Sequence, residues 1–277
     1  MIKIIKKLII NLYYWLRYFY IFIKNIKYKQ TYSPSNNKDN NIHIIGNGPS
    51  ALSTFDNFEL NKGIDILTVN FFVRQKDRFT NLKPQYHIMV DPVWFDKKRE
   101  NDINFNEVFT ILENEVNWKL KLIIPANFDI SFNNNNIEII KLKINELKYV
   151  ESKIMFNLYE KGLACAGSNN VIHIALYLAI TNNYSNIFLH GVEHDWIKNV
   201  VINEKNEILL KDDHFYESNI RNLTNEKQFK KGEFFKFCYT YYDVFKTYNI
   251  LKKYADYKNI NVYNCTKNSF VDSFEKK

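Results

Sequence analysis

Asn41-Ile42-His43-Ile44-Ile45-Gly46-Asn47-Gly48-Pro49-Ser50 is the stretch that decides the fold. A short apolar run rich in β-branched residues stops at a glycine-rich turn, and Pro49 suits the first turn of a helix. The ten residues therefore read as strand, tight loop and helix. Gly46 and Gly48 permit positive φ and a close backbone approach, and the first N–H groups of a new helix are donors for an anion. In open α/β sheets, a loop of this kind after the first strand marks a nucleotide site.

Further runs of the same type follow. Asp65-Ile66-Leu67-Thr68-Val69-Asn70 reads as a second strand, Tyr86-His87-Ile88-Met89-Val90-Asp91-Pro92 as a third, and Trp118 to Pro125 as a fourth. The second and third carry short polar side chains at their carboxyl ends, where such sheets bind ligands. Ser168 to Ile180 has apolar residues at helical spacing, and a strand follows at Ile187-Phe188-Leu189-His190-Gly191-Val192-Glu193. Residues 197–232 are charged and aperiodic and read as a lid. A long amphipathic helix from about Glu233 to Tyr257 leads to a last strand, Asn259 to Asn264. Strands alternating with helices predict one α/β domain over residues 41–277 with a mostly parallel, Rossmann-like sheet.

The formal net charge of +8 does not describe that domain. Residues 1–30 hold seven basic residues (Lys3, Lys6, Lys7, Arg17, Lys24, Lys27, Lys29) and no acid, which leaves the remainder nearly neutral. A nucleic-acid-binding role needs a basic face on the folded body, so the charge balance speaks against one. Cys165, Cys238 and Cys265 are widely spaced, with no paired-cysteine or zinc-ligand pattern, and read as reduced thiols.

Read as a helix, residues 1–29 gather Ile4, Ile5, Leu8, Leu12, Trp15, Leu16, Phe19, Phe22, Ile23 and Ile26 on one face and lysines on the other. This is the pattern of a helix lying in a membrane interface. Asn11 and Arg17 interrupt the apolar run too early for a spanning segment. Residues 30–40 are polar and rich in Ser, Asn and Pro and read as a linker, so the helix is expected to be tethered to the body and not built into it.

Three blocks together resemble the bacterial CMP-sialic-acid-dependent sialyltransferases of glycosyltransferase family 42. They are Gly46-Asn47-Gly48-Pro49-Ser50; the strand ends Val69-Asn70-Phe71-Phe72 and Val90-Asp91-Pro92-Val93-Trp94-Phe95; and Gly167-Ser168-Asn169-Asn170 through Glu193. The order and spacing fit over roughly residues 41–200. The C-terminal block Ile260 to Phe270 is similar to the family's last strand. The resemblance implies a glycosyltransferase A-like fold with a lid at about 197–232, and inverting, metal-independent transfer of a sialic-acid-like keto-sugar acid from a CMP-sugar. No cofactor is implied, the CMP-sugar being a substrate. By the same resemblance Gly46, Asn47, Gly48, Pro49, Ser50, Asn70, Asp91, Ser168 and Asn169 would surround the nucleotide. The amphipathic helix adds the expectation that the acceptor is a lipid-linked glycan or a surface polysaccharide or lipopolysaccharide, met at the cytoplasmic face of the inner membrane.

The sequence also departs from that family. Asp91 stands where the family has asparagine, and a carboxylate beside an anionic donor repels it unless it is paired. The family's histidine base has no counterpart near Gly232, where Phe234, Phe235 and Lys236 stand. Taking a proton from an acceptor hydroxyl suits a histidine. His43, His87, His173 and His190 lie within apolar patterns and read as structural. His214, beside Asp212, Asp213 and Tyr216 in the lid, is the first choice for the base, with Tyr216 as a phosphate or acceptor donor and His194 as the second choice. Three other readings stay open: a magnesium-dependent pterin diphosphokinase-like enzyme in which Asp91 holds the metal, a dinucleotide enzyme suggested by Gly46-x-Gly48-x-x-Ala51, and an inactive carbohydrate-assembly partner of the same fold.

Overall fold

A computed structural model describes residues 2–38, 40–51, 64–99, 102–150, 152–213 and 218–277. The helix expected from Ser50 lies, beyond Ala51, outside the described residues, as do His214 and Tyr216.

The strands in chain order are β1 (Asn41–Ile45), β2 (Ile64–Val69), β3 (Tyr86–Ile88), β4 (Leu120–Pro125), β5 (Ile137–Leu142), β6 (Asn186–His190), β7 (Val200–Ile202), β8 (Ile208–Asp213), β9 (Ser218–Asn222), β10 (Asn261–Asn264) and β11 (Glu275–Lys276). Eight of them form one sheet in the order β11-β10-β6-β1-β2-β3-β4-β5, and every pairing in it is parallel. The expected mostly parallel α/β sheet is therefore present. From β1 the chain moves outward in one direction through β2 to β5, and later returns to the other side of β1 as β6. The order thus reverses between β1 and β6, which makes their carboxyl ends the crevice of the sheet.

Both faces of the sheet are covered, as a buried parallel sheet requires. Ile42 and Ile44 of β1 and Leu67 and Val69 of β2 enter one apolar cluster, whereas Ile45 and Ile66 enter the other. The described helices are α1 (Ile2–Asn25), α2 (Lys76–Leu82), α3 (Ile103–Glu115), α4 (Lys153–Glu160), α5 (Val171–Thr181) and α6 (Phe234–Tyr257). α5 is apolar on all sides, and ten of its eleven residues are buried beneath the sheet and α6.

Three features differ from the sequence reading. The third strand ends at Ile88, because Asp91 and Pro92 start a 3-10 turn, Pro92–Phe95, in which the Asp91 carboxylate accepts from the Val93 amide at 3.0 Å. Residues 197–232 are not irregular: β7, β8 and β9 make an antiparallel sheet with a small core of Ile208, Leu210 and Leu223 on Phe237 of α6. Such short strands leave no long-range period to read.

The third difference concerns α1, which is built into the body. Tyr18 is buried, and Tyr14, Trp15 and Phe22 pack on the same core. Asn25 Nδ2 donates to Asn145 Oδ1 at 2.9 Å, and the Arg17 guanidinium meets Glu146 at 2.7 Å. The following segment is a strap: Thr31 and Tyr32 donate their amides to the Lys141 carbonyl at 3.0 Å, and Thr31 Oγ1 accepts from the Lys141 amide. The strap covers the outer edge of β5, which would otherwise present unpaired backbone groups.

Candidate functional site

The register of the sheet builds the site. Ile45 of β1 lies beside His190 of β6, so the loops that begin at Gly46 and Gly191 start side by side. The Gly46 amide donates to the His190 carbonyl at 2.8 Å and the Gly48 amide to the Gly191 carbonyl at 2.9 Å. A Cβ on Gly46 would stand 2.4 Å from the Gly191 carbonyl oxygen, so glycine is required there by close approach. The Ser50 amide donates to Glu193 Oε1 at 2.7 Å. The donors that the sequence offered to an anion are thus engaged by the neighbouring loop and its carboxylate.

The C-terminal segment holds that second loop in place. Thr266 Oγ1 accepts from the Val192 amide at 3.1 Å, and the Phe270 amide donates to the Glu193 carbonyl at 2.8 Å. Asn264 fixes the turn by donating to the Val271 carbonyl at 2.8 Å and to Ser269 Oγ at 3.0 Å.

Around these loops lies a cleft lined by Gly46, Asn47, Gly48, Pro49 and Asn70, by Asn170 to Ile172 at the start of α5, and by Gly191, Glu193, His194, Asp195 and Trp196. Two buried acceptors of its lining residues, Asn47 Oδ1 and Glu193 Oε2, have no donor among the described residues. Among the described residues, neither lysine nor arginine lines it. The positive pole of α5 is the one source of positive potential in its wall among the described residues.

His194 is the described histidine that lines the cleft. Asn170 caps α5 by accepting from the Ile172 amide through Oδ1 at 2.8 Å, so its Nδ2 faces His194 Nε2 at 3.4 Å. That nitrogen must accept, which assigns the ring proton to Nδ1, 3.2 Å from the Tyr248 hydroxyl. The ring stacks on Trp196 at 4.4 Å. Burial, with His173 nearby, pushes His194 down to about 3 and keeps it neutral.

Of the sequence-predicted residues, Gly46, Asn47, Gly48, Pro49, Asn70 and His194 meet in the cleft, with Ser50 behind them. The Asn70 side chain is already engaged, its Oδ1 accepting from Trp94 Nε1 at 3.1 Å. Asp91 caps its own turn in solvent and does not line the cleft. Ser168 is exposed, and Asn169 turns away to bond Asp243, so the wall there is made by the next residues, Asn170 to Ile172. Sequence reasoning did not single out Asn170, Trp196 or Glu193 as residues of the site. Glu193 reaches the glycine loop because Ile45 and His190 end their parallel strands side by side, a pairing that carries no local sequence signal.

His43 and His190 bond to each other at 2.8 Å in β1 and β6, and His87 bonds Thr68 Oγ1 at 2.8 Å between β2 and β3. His173 is buried edge-on to Tyr248 in α5. These four lie in the packed body, away from the cleft wall.

No protein-family model matches the chain, and no curated protein matches it significantly. Among solved structures, it is similar to the sialyltransferase CstII from Campylobacter jejuni in complex with the substrate analogue cytidine-5'-monophosphate, at 15% identity over 85% of this chain and 84% of that one, with a TM-score of 0.40. The sialyltransferase CST-II in complex with a trisaccharide acceptor and CMP is similar at 13% identity over 85% of each chain, also with a TM-score of 0.40. At that level the likeness carries no conclusion about function.

Proposed function

We propose that the chain binds a CMP-activated keto-sugar acid in this cleft and transfers the sugar, with inversion and without a metal, to the hydroxyl of a glycan acceptor. One observation carries the reading. The lining of a concave site at the reversal point of a parallel sheet includes two buried acceptors, Asn47 Oδ1 and Glu193 Oε2, that no described residue supplies with a donor. The amino group of cytosine and the ribose hydroxyls are donors of the kind such atoms need.

Of the walls of the cleft, the start of α5 is the one whose helix pole favours an anion, and the phosphate is assigned there. Asp91 is engaged as a turn cap outside the cleft, which weakens the magnesium-dependent alternative. In the transfer step the acceptor hydroxyl loses its proton to a base as its oxygen bonds to the anomeric carbon. The bond from that carbon to the phosphate oxygen breaks and CMP leaves. His214 is assigned the base and Tyr216 a hydrogen bond to the leaving phosphate, on the sequence alone. The low proton affinity of His194 makes it a weak base and suits it to a neutral wall position.

The test is release of CMP from CMP-keto-sugar donors with a panel of glycan acceptors in the presence of a chelator. Turnover should survive chelation and fall by on the order of 10² to 10⁴ in His214→Ala, with CMP binding retained. Turnover that disappears with chelation, or is equal in the variant, would contradict the assignment.

A further inference from the structure

We infer that the outer face of α1 is a docking surface for an anionic lipid bilayer, held rigidly against the body so that the whole domain sits on the membrane in one orientation. This goes beyond the proposed transfer reaction and does not depend on it.

Three observations carry it. First, the helix splits its apolar residues between two sides. Tyr14, Trp15, Tyr18 and Phe22 face the core, whereas Ile5, Leu8, Leu12, Leu16, Phe19, Ile23 and Ile26 are 49–66% exposed. The exposed set recurs every three or four residues and so forms one stripe, about 27 Å long from Ile5 to Ile23 and continued by Ile26 just past the helix end. A stripe of that extent is far beyond the scattered apolar residues of an ordinary surface.

Second, the charge around it has one sign. Residues 1–30 carry seven bases and no acid, and Lys24, Lys27 and Lys29 are exposed at its C-terminal end. That complements anionic headgroups and opposes pairing with a second copy of the same basic helix. No described helix is long and apolar enough to cross a membrane, so the stripe fits a helix lying in the interface.

Third, the helix cannot swing freely. Arg17 to Glu146 at 2.7 Å and Asn25 to Asn145 at 2.9 Å fix its C-terminal half, and the strap on Lys141 fixes the chain that follows. Glu146 lies 3.6 Å from Lys148, which pairs with Asp243 of α6 at 2.6 Å, so the helix is anchored to the frame that also holds α5 and the cleft.

The experiment is co-flotation of the full chain with vesicles of phosphatidylcholine alone or containing phosphatidylglycerol, read together with its mass in solution. We expect binding at least tenfold stronger to the anionic vesicles, and at least a tenfold loss in the triple variant Leu8→Ser/Leu12→Ser/Leu16→Ser with unchanged thermal stability, since those side chains are exposed and are not among those packed on the core. Lys24→Glu/Lys27→Glu should remove the preference for anionic lipid. No flotation of the wild-type chain, undiminished flotation of the triple variant, or a stable dimer that the triple variant converts to monomer would each overturn the inference. None of these outcomes touches the transfer reaction, which is read separately with a soluble acceptor.

Discussion

Glu193 Oε1 accepts a hydrogen bond from the Ser50 amide at 2.7 Å, and its other oxygen lies where a side chain on Gly48 would be, 1.5 Å from the position of that missing Cβ. The carboxylate thus fills the glycine loop from the neighbouring strand end. A loop that looks built for phosphate has its forward amides satisfied from within the protein, and the carboxylate oxygen left beside it is buried with no donor among the described residues.

The first prediction concerns that acceptor. Glu193→Gln keeps an oxygen for the Ser50 amide and turns an NH₂ group toward the ligand, where a donor is required. CMP affinity should fall about tenfold, the cost of one mismatched buried hydrogen bond, with the melting temperature nearly unchanged. Calorimetric titration of both proteins decides it; equal affinities would remove Glu193 from the site.

A second prediction concerns Lys148 and Asp243, both buried and paired at 2.6 Å, with Tyr149 and Asn169 also bonding the carboxylate. Asp243→Ala strands a buried ammonium and should destabilise the fold by about 3–5 kcal/mol, whereas Lys148→Met/Asp243→Leu together should cost much less. Denaturant unfolding of the single and double variants makes the comparison.

Acid should unfold the protein early. His87, His173, His190 and His194 are buried, and burial pushes each from 6.5 to about 3. The folded chain holds them neutral and the unfolded chain protonates them near 6.5. Stability is therefore full above about pH 7 and is lost as pH falls from 6.5 toward 3, by on the order of 1 kcal/mol per histidine per pH unit. Thermal melts from pH 8 to 5 should show a steep fall below pH 6; a flat profile to pH 5 would show that these rings take up protons in the fold.

Removing residues 1–29 should damage the body as well as its surface. Tyr18 belongs to the main core, and Tyr14, Trp15 and Phe22 pack against it. The truncated chain should lose at least ~3 kcal/mol, comparable to deleting a buried aromatic side chain. An unchanged unfolding midpoint would make α1 a loose appendage.

What could be read from the sequence was whatever has a short period or a fixed local chemistry. Asn41 to Gly48 declared a strand and its turn, and the apolar spacing from Ser168 to Ile180 declared the helix found at Val171–Thr181. β5 and the hairpins of β7 to β9 stayed hidden because their residues are half-exposed or their strands too short to show a pattern. The role of Glu193 depends on β1 and β6 being neighbours across 145 residues of sequence, which no local pattern encodes. The split of α1 into a core side and an outer side was likewise illegible, since Trp15 and Leu16 are equally apolar and only the fold decides which one meets the body.

The most direct test of the proposed function is calorimetric titration of the full chain with CMP, UMP and ATP, each with and without magnesium. CMP should bind, chelation should leave its affinity unchanged, and Glu193→Gln should weaken it. Binding of ATP or UMP that appears only with magnesium, with none of CMP, would contradict it.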